Sequence, residues 1–292
     1  PQVPGFLEKA GVRRFSICFM EDAGGALQLN APLGPKPLGS LGRSHWGLGL
    51  QGVSVGNASA PMAFCATSSM RAGQNTPCGL IPDSGTTFMM GPAEQILKLM
   101  ELICDGWGRC AHAAAENPQE KHEILQDLLL DCESWSANDM EAVFEELPAI
   151  HFNVVGAGGE TQTLRIPASA YLLETDRDGM HRLSGHAPSG LSLAAQRQPH
   201  GQGKFCMAAL GQIDYSTEQN GPVWILGLPV FSVYRVGYDL EAVPPAIAFD
   251  ESPCTGCAQP GGEFFVARPV RGAFARPRRL LVPPRLPTSI AW

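Results

Sequence analysis

Charge is scarce in this chain of 292 residues, of which only 17% are Asp, Glu, Lys or Arg. Basic charge is scarcer still, and the formal net charge is −7 at pH 7. That balance excludes a broad cationic face, so no nucleic-acid partner is expected. No apolar run approaches the roughly 20 residues of a membrane-spanning helix, so no membrane span is expected either. No repeat of fixed period is visible, which excludes an array of like units. The chain opens Pro1-Gln-Val-Pro4, with neither an initiator Met nor a signal peptide. From that opening a further N-terminal part is expected.

What is present points to a large core built from short elements. Hydrophobic residues make up 44%, and the chain holds 33 Gly and 25 Pro. That pairing favours many turns and short strands over long helical bundles. Strand signals cover 15–20, 46–55, 150–155, 164–166, 205–210, 230–238 and 246–249. Gly156-Ala-Gly-Gly159 lies between two of them and is read as a hairpin turn, since it lacks the third spaced glycine of a dinucleotide loop. Two helices stand out. One begins near Pro92 and sets Ile96, Leu99, Met100 and Ile103 on one face, with Leu97 and Cys104 beside it. The other starts at Asn117-Pro118 and runs through Ile124, Leu125, Leu128 and Leu129. The expected fold class is mostly β with a few short helices. Residues 1–250 read as one globular unit. Residues 251–292 form a Pro/Arg-rich tail with six Arg against two Glu, read as solvated and mostly disordered.

Nine cysteines are many for a reducing compartment. Cys65 with Cys78, Cys104 with Cys110, and Cys254 with Cys257 are near neighbours, and the spacing suggests disulfides. The alternative is a set of buried reduced thiols. The disulfide reading implies the secretory pathway. Nine is odd, so one thiol lacks a partner within the chain; Cys18, inside an apolar run, is the candidate. Cys104, Cys110 and His112 lack a fourth ligand at a recognisable spacing, so no metal is expected. Asn57-Ala-Ser59 is a candidate glycosylation sequon after a predicted strand. Gly52-Val-Ser-Val-Gly56 fits the serine-hydrolase elbow in letters only, because a turn follows it and not a helix.

The segment that carries chemistry is Gly79-Leu-Ile-Pro-Asp-Ser-Gly-Thr-Thr-Phe-Met-Met-Gly91. An apolar strand ends in Asp83-Ser-Gly-Thr86. A carboxylate on a tight glycine turn can sit at the floor of a cleft, and Gly85 lets another backbone or a substrate come close. Ser84 and Thr86 place hydroxyls on either side of Asp83 and can hold it in one orientation. Far along the chain, 223–239 is a pair of apolar runs broken at Gly227. Asp-Ser-Gly-Thr followed by an apolar-apolar-Gly element resembles the two signatures of one lobe of a pepsin-like aspartic endopeptidase. The resemblance extends over nearly all of 1–250. Pro4-Gly-Phe-Leu-Glu-Lys-Ala-Gly11 and the following strand look like the family's crossing from first lobe to second. Gly24-Gly25-Ala-Leu-Gln-Leu29 resembles its hairpin strand, and Trp46 opens a strand similar to the one before its second aspartate. Leu147-Pro-Ala-Ile-His-Phe152, the stretch 164–173, and Ala246-Ile-Ala-Phe249 match further segments.

The resemblance implies a C-terminal acid-protease lobe in which Asp83 is one member of a catalytic carboxylate pair. Ser84 then fixes the loop against its partner lobe, Thr86 hydrogen-bonds the carboxylate, and Gly227 packs beside the loop. It implies a Cys132–Cys206 disulfide and a short Cys65–Cys78 loop. It also implies a peptide or protein substrate, no cofactor, a first lobe in cis, and a secreted or vacuolar, lysosome-like location. Departures are Pro82 in place of the usual apolar residue before the aspartate, Leu228 where an Asp is usual, and a longer, more acidic 104–146. No second Asp-Thr/Ser-Gly is present, so little or no peptidase activity is expected of the chain by itself. The alternative reading is a non-catalytic binding or inhibitor-like protein that keeps the fold. A homodimer pairing two copies of Asp83 is a minor third.

Overall fold

Short apolar segments punctuated by glycine and proline form sixteen strands among the described residues of a computed structural model. It describes residues 5–20, 24–42, 45–57, 64–132, 135, 137–176, 204–254 and 263–266. The described chain is sheet-rich, as its composition suggested, and helices occupy mainly one central stretch.

The first sheet has six strands. After a single helical turn α1 (Phe6–Lys9), β1 (Arg14–Phe19) pairs with β2 (Gly25–Leu29), and β3 (Leu38–Gly39) lies further on. β14 (Arg235–Asp239), β15 (Ala246–Asp250) and β16 (Glu263–Val266) complete the order β16-β2-β1-β14-β15-β3. Phe15, Ile17 and Phe19 alternate along β1 and pack half-buried against the main core, as the period of a strand requires. The second sheet has eight strands: β4 (Leu48–Val55), β5 (Cys78–Pro82), β6 (Met89–Gly91), β7 (Ile150–Val155), β8 (Thr161–Ile166), β11 (Leu210–Gln212), β12 (Ser216–Thr217) and β13 (Gly221–Leu226). Seven run in the order β11-β6-β13-β5-β4-β7-β8, with β12 attached to β13. β9 (Leu172–Asp176) and β10 (Lys204–Ala208) form a separate two-stranded antiparallel sheet.

Between β6 and β7 the chain is helical: α2 (Ala93–Gly106), α3 (Gly108–Glu116), α4 (Lys121–Leu130) and α5 (Ala137–Glu146). α2 buries Ile96, Leu99, Met100, Ile103 and Cys104, the face read from its spacing. Pro92 caps that helix from just outside it. The helix expected from Asn117 begins instead at Lys121, because Asn117 ends α3 and its side-chain oxygen accepts the Gln119 N–H in a local turn. α6 (Ala168–Tyr171) and α7 (Leu228–Val233) are short. α7 corrects the strand expected over 230–238. Pro229 fits the first turn of a helix, where its missing N–H costs nothing, and the strand begins only at Arg235.

Four disulfides place the chain in an oxidising, secretory-type environment. Cys65–Cys78, Cys104–Cys110 and Cys132–Cys206 join as the sequence reading had them. The fourth corrects it: Cys18 bonds Cys254, not left single, and Cys254 does not bond Cys257. β14 sets β15 into the same sheet as β1, and the segment leaving β15 carries Cys254 to Cys18, 236 positions away in sequence. Cys257 lies outside the described residues, as does most of 251–292; of that tail, Cys254 and β16 are both tied to the first sheet. No helix among the described residues is long and apolar enough to cross a membrane.

Candidate active site

Three strands create the site. β13 lies between β5, parallel to it, and β6, antiparallel to it: Leu226 pairs with Pro82, and Ile225 with both Ile81 and Met90. β5 and β6 are consecutive in sequence, so residues 83–88 must cross over the end of β13. The crossing is tight. The Asp83 N–H donates to the Leu226 carbonyl at 2.9 Å, and the Leu228 N–H donates to the Thr86 carbonyl at 2.8 Å. Gly227 sits between these two bonds. A Cβ there would collide with the backbone oxygens of Thr86 and Phe88, so only glycine lets the two segments touch. The two segments, tied by bonds that span 143 and 142 positions of sequence, are thus one structural unit.

The carboxylate of Asp83 stands at the crossing. The Gly85 N–H donates to its Oδ1 at 2.8 Å, and the Thr86 hydroxyl donates to its Oδ2 at 2.7 Å. The Thr86 N–H also closes the turn on the Asp83 carbonyl at 3.2 Å. Each carboxylate oxygen is held by one donor and keeps lone-pair capacity for another partner. Asp83 is half-buried, and among the described residues it forms no ion pair. Ser84 is half-buried beside it with no hydrogen-bond partner among the described residues, and Gly85 is exposed. This is an oriented, partly exposed acid whose oxygens can each accept a further hydrogen bond, such as one from water.

An aromatic floor lies near the loop. Tyr238 stacks on Phe15 at 4.7 Å between ring centroids and meets Trp46 at 5.0 Å. Its buried hydroxyl donates to the Pro82 carbonyl at 3.4 Å. Burial, and then the charge of Asp83, push the pKa of this phenol up. Sequence reasoning missed Tyr238. The one signal was a phenol within an apolar strand, and nothing in the local pattern says what it reaches.

The structure brings Asp83, Ser84, Gly85, Thr86 and Gly227 together. Among the described residues no second carboxylate hydrogen-bonds to Asp83. No family model matches the chain, and no curated protein matches it. The remaining candidates fall elsewhere. Asn57 is exposed in the turn after β4, behind Gly56 at φ +70, while Ala58 and Ser59 of its sequon lie outside the described residues. Ser54 of the elbow-like motif is fully buried inside β4, away from any turn. Cys104 and Cys110 are joined to each other and cannot ligate zinc as thiolates, and His112 lies 3.8 Å from Glu116. Gly156 to Gly159 turn β7 into β8, with Gly159 at φ +85.

Proposed function

We propose that this chain is the second lobe of a pepsin-like aspartic endopeptidase, with Asp83 as one of two catalytic carboxylates. The observation that carries the reading is the Asp83 loop itself. An accessible acid, held by a backbone amide and a hydroxyl, crosses a glycine at the end of a parallel strand pair. A plain surface turn has no need of that crossing.

In this chemistry two close carboxylates share a proton and a water, because like charges so near each other do not both ionise readily. The ionised member takes a proton from the water, which attacks the scissile carbonyl, and the protonated member donates to the carbonyl oxygen. Thr86 and Gly85 keep the Asp83 oxygens pointed at that water. The second acid and half of the substrate cleft belong to a first lobe in cis. The substrate is a peptide or protein in an extended form, and the enzyme works in a secreted or vacuolar, lysosome-like setting.

The test is direct. The chain alone is expected to show no pepstatin-sensitive cleavage. Joined in cis to a first lobe carrying Asp-Thr-Gly, it is expected to cleave peptides at acidic pH, and Asp83→Asn to abolish that activity. Unchanged cleavage by the joined Asp83→Asn variant removes Asp83 from the mechanism and the assignment with it.

A further inference from the structure

We propose that Tyr238 is a positioning residue for Asp83: its hydroxyl clamps the carbonyl of the Pro82–Asp83 peptide from the side opposite β13. The inference rests on the peptidase reading for its functional consequence, and on geometry alone for the clamp.

The Pro82–Asp83 peptide plane carries the Cα from which the candidate catalytic carboxylate projects. Its N–H donates to the Leu226 carbonyl of β13. Its carbonyl belongs to Pro82. On the other flank of β5 the ladder to β4 ends at the pair Leu48–Leu80, two residues short of Pro82. Proline also supplies no N–H there. The Tyr238 hydroxyl donates to this carbonyl at 3.4 Å in a buried setting. One peptide plane is therefore held from two sheets, by Leu226 in the second and by Tyr238 in the first.

The phenol oxygen needs a reason to be where it is. Tyr238 is 4% exposed, and its ring packs against Phe15 and Trp46. A phenylalanine fills the same aromatic slot without burying a hydroxyl. Burying an unbonded hydroxyl costs free energy, so the oxygen is tolerated because it is bonded. Pro82 is the one hydrogen-bond partner it has among the described residues. Asp83 is near enough for its charge to make the phenol hold its proton more tightly, which keeps the hydroxyl a donor. Tyr238 sits in β14, paired to Phe15 of β1 and Ile247 of β15, so any displacement of the first sheet is passed to the base of the Asp83 loop.

Tyr238→Phe removes one oxygen and keeps the ring. In the chain as it stands, amide hydrogen exchange is expected to quicken about ten-fold or more at Asp83 and Gly85. Amides of Phe152 in β7 and Phe205 in β10 are expected to stay at the wild-type rate. A general loss of stability speeds all four alike, and unchanged rates at Asp83 and Gly85 also overturn the clamp. In the protein joined to a first lobe, the same variant is expected to lose about ten-fold in kcat with KM within two-fold, since misaim costs the transition state and not ground-state binding. A rise in KM alone overturns the positioning role. The exchange result needs no substrate, so it stands or falls separately from the peptidase reading, which the Asp83→Asn comparison decides.

Discussion

At position 227 a single methyl group stands between a crossed loop and a separated one. Thr86 and Phe88 present backbone oxygens to that point, and backbone cannot rotate away as a side chain can. Gly227→Ala is expected to destabilise the fold by about 1–3 kcal/mol, the usual range for overpacking, and to lower the thermal midpoint. If the midpoint is unchanged, the crossing is looser than the hydrogen bonds of Asp83 and Leu228 imply. The Asp83 loop was legible from sequence because its signals are local: a carboxylate, two hydroxyls and a glycine within four positions. Tyr238 was not, because its hydrogen bond spans 156 positions and its chemistry is a single phenol among apolar neighbours.

β8 ends one side of the second sheet, and edge strands expose unpaired backbone groups. Here the edge is covered at Arg165. The Arg165 N–H donates to the Tyr234 hydroxyl at 2.8 Å, and that hydroxyl donates to the Arg165 carbonyl at 3.3 Å. Tyr234→Phe is expected to cost about 1–2 kcal/mol and to expose the Arg165 amide to exchange; denaturant unfolding with exchange at that amide checks it. Across the same strands runs a row of Ser54, His151 and Arg165, directly opposite one another in register. Burial, and then the charge of Arg165, push the His151 pKa down from its ordinary 6.5. The unfolded chain therefore takes up this proton first as pH falls. The stability that His151 contributes is complete above 6.5 and is lost as pH falls from there through the lower folded value. Its Nδ1 is buried without a partner among the described residues, so the charged ring gains no compensating bond on that side. His151→Gln, which does not titrate, is expected to show a shallower acid loss of unfolding free energy than wild type. Parallel slopes for the two proteins remove His151 as a cause.

How far these elements could be read in advance depended on where their signal lies. α2 carries its apolar face in its own spacing, and so it was read. α3 carries a fainter one: of Gly-Arg-Cys-Ala-His-Ala-Ala-Ala-Glu only Cys110 is fully buried, and the stripe it makes with half-buried Ala113 and Ala114 is built of small side chains. Val230 and Phe231 look like strand residues, but Gly227 and Pro229 ahead of them start a helix. β16 is four residues in a stretch rich in Gly, Pro and Arg, and only its pairing with β2 makes it a strand.

For the whole molecule, the cysteines set the count. Eight of the nine are bonded in four pairs. Thiol titration of the denatured, unreduced chain is expected to find one free thiol, and peptide mapping to recover Cys18 joined to Cys254. A recovered Cys254–Cys257 peptide contradicts that topology. Cys18→Ser is expected to lower stability by up to about 5 kcal/mol, since the longest closed ring restricts the unfolded chain most; denaturant unfolding against wild type measures it.

A chain closed on itself in this way also has an unusual response to being pulled. Cys18 and Cys254 lie 236 positions apart, and one covalent link joins them. Tension applied between the two ends runs through those two sulfur atoms; it loads β1 as far as Cys18 and all of β16, and bypasses the second sheet and the central helices. In an optical trap the oxidised protein is expected to yield only the lengths outside the ring, β16 among them. Adding a reductant lets the remaining length pay out.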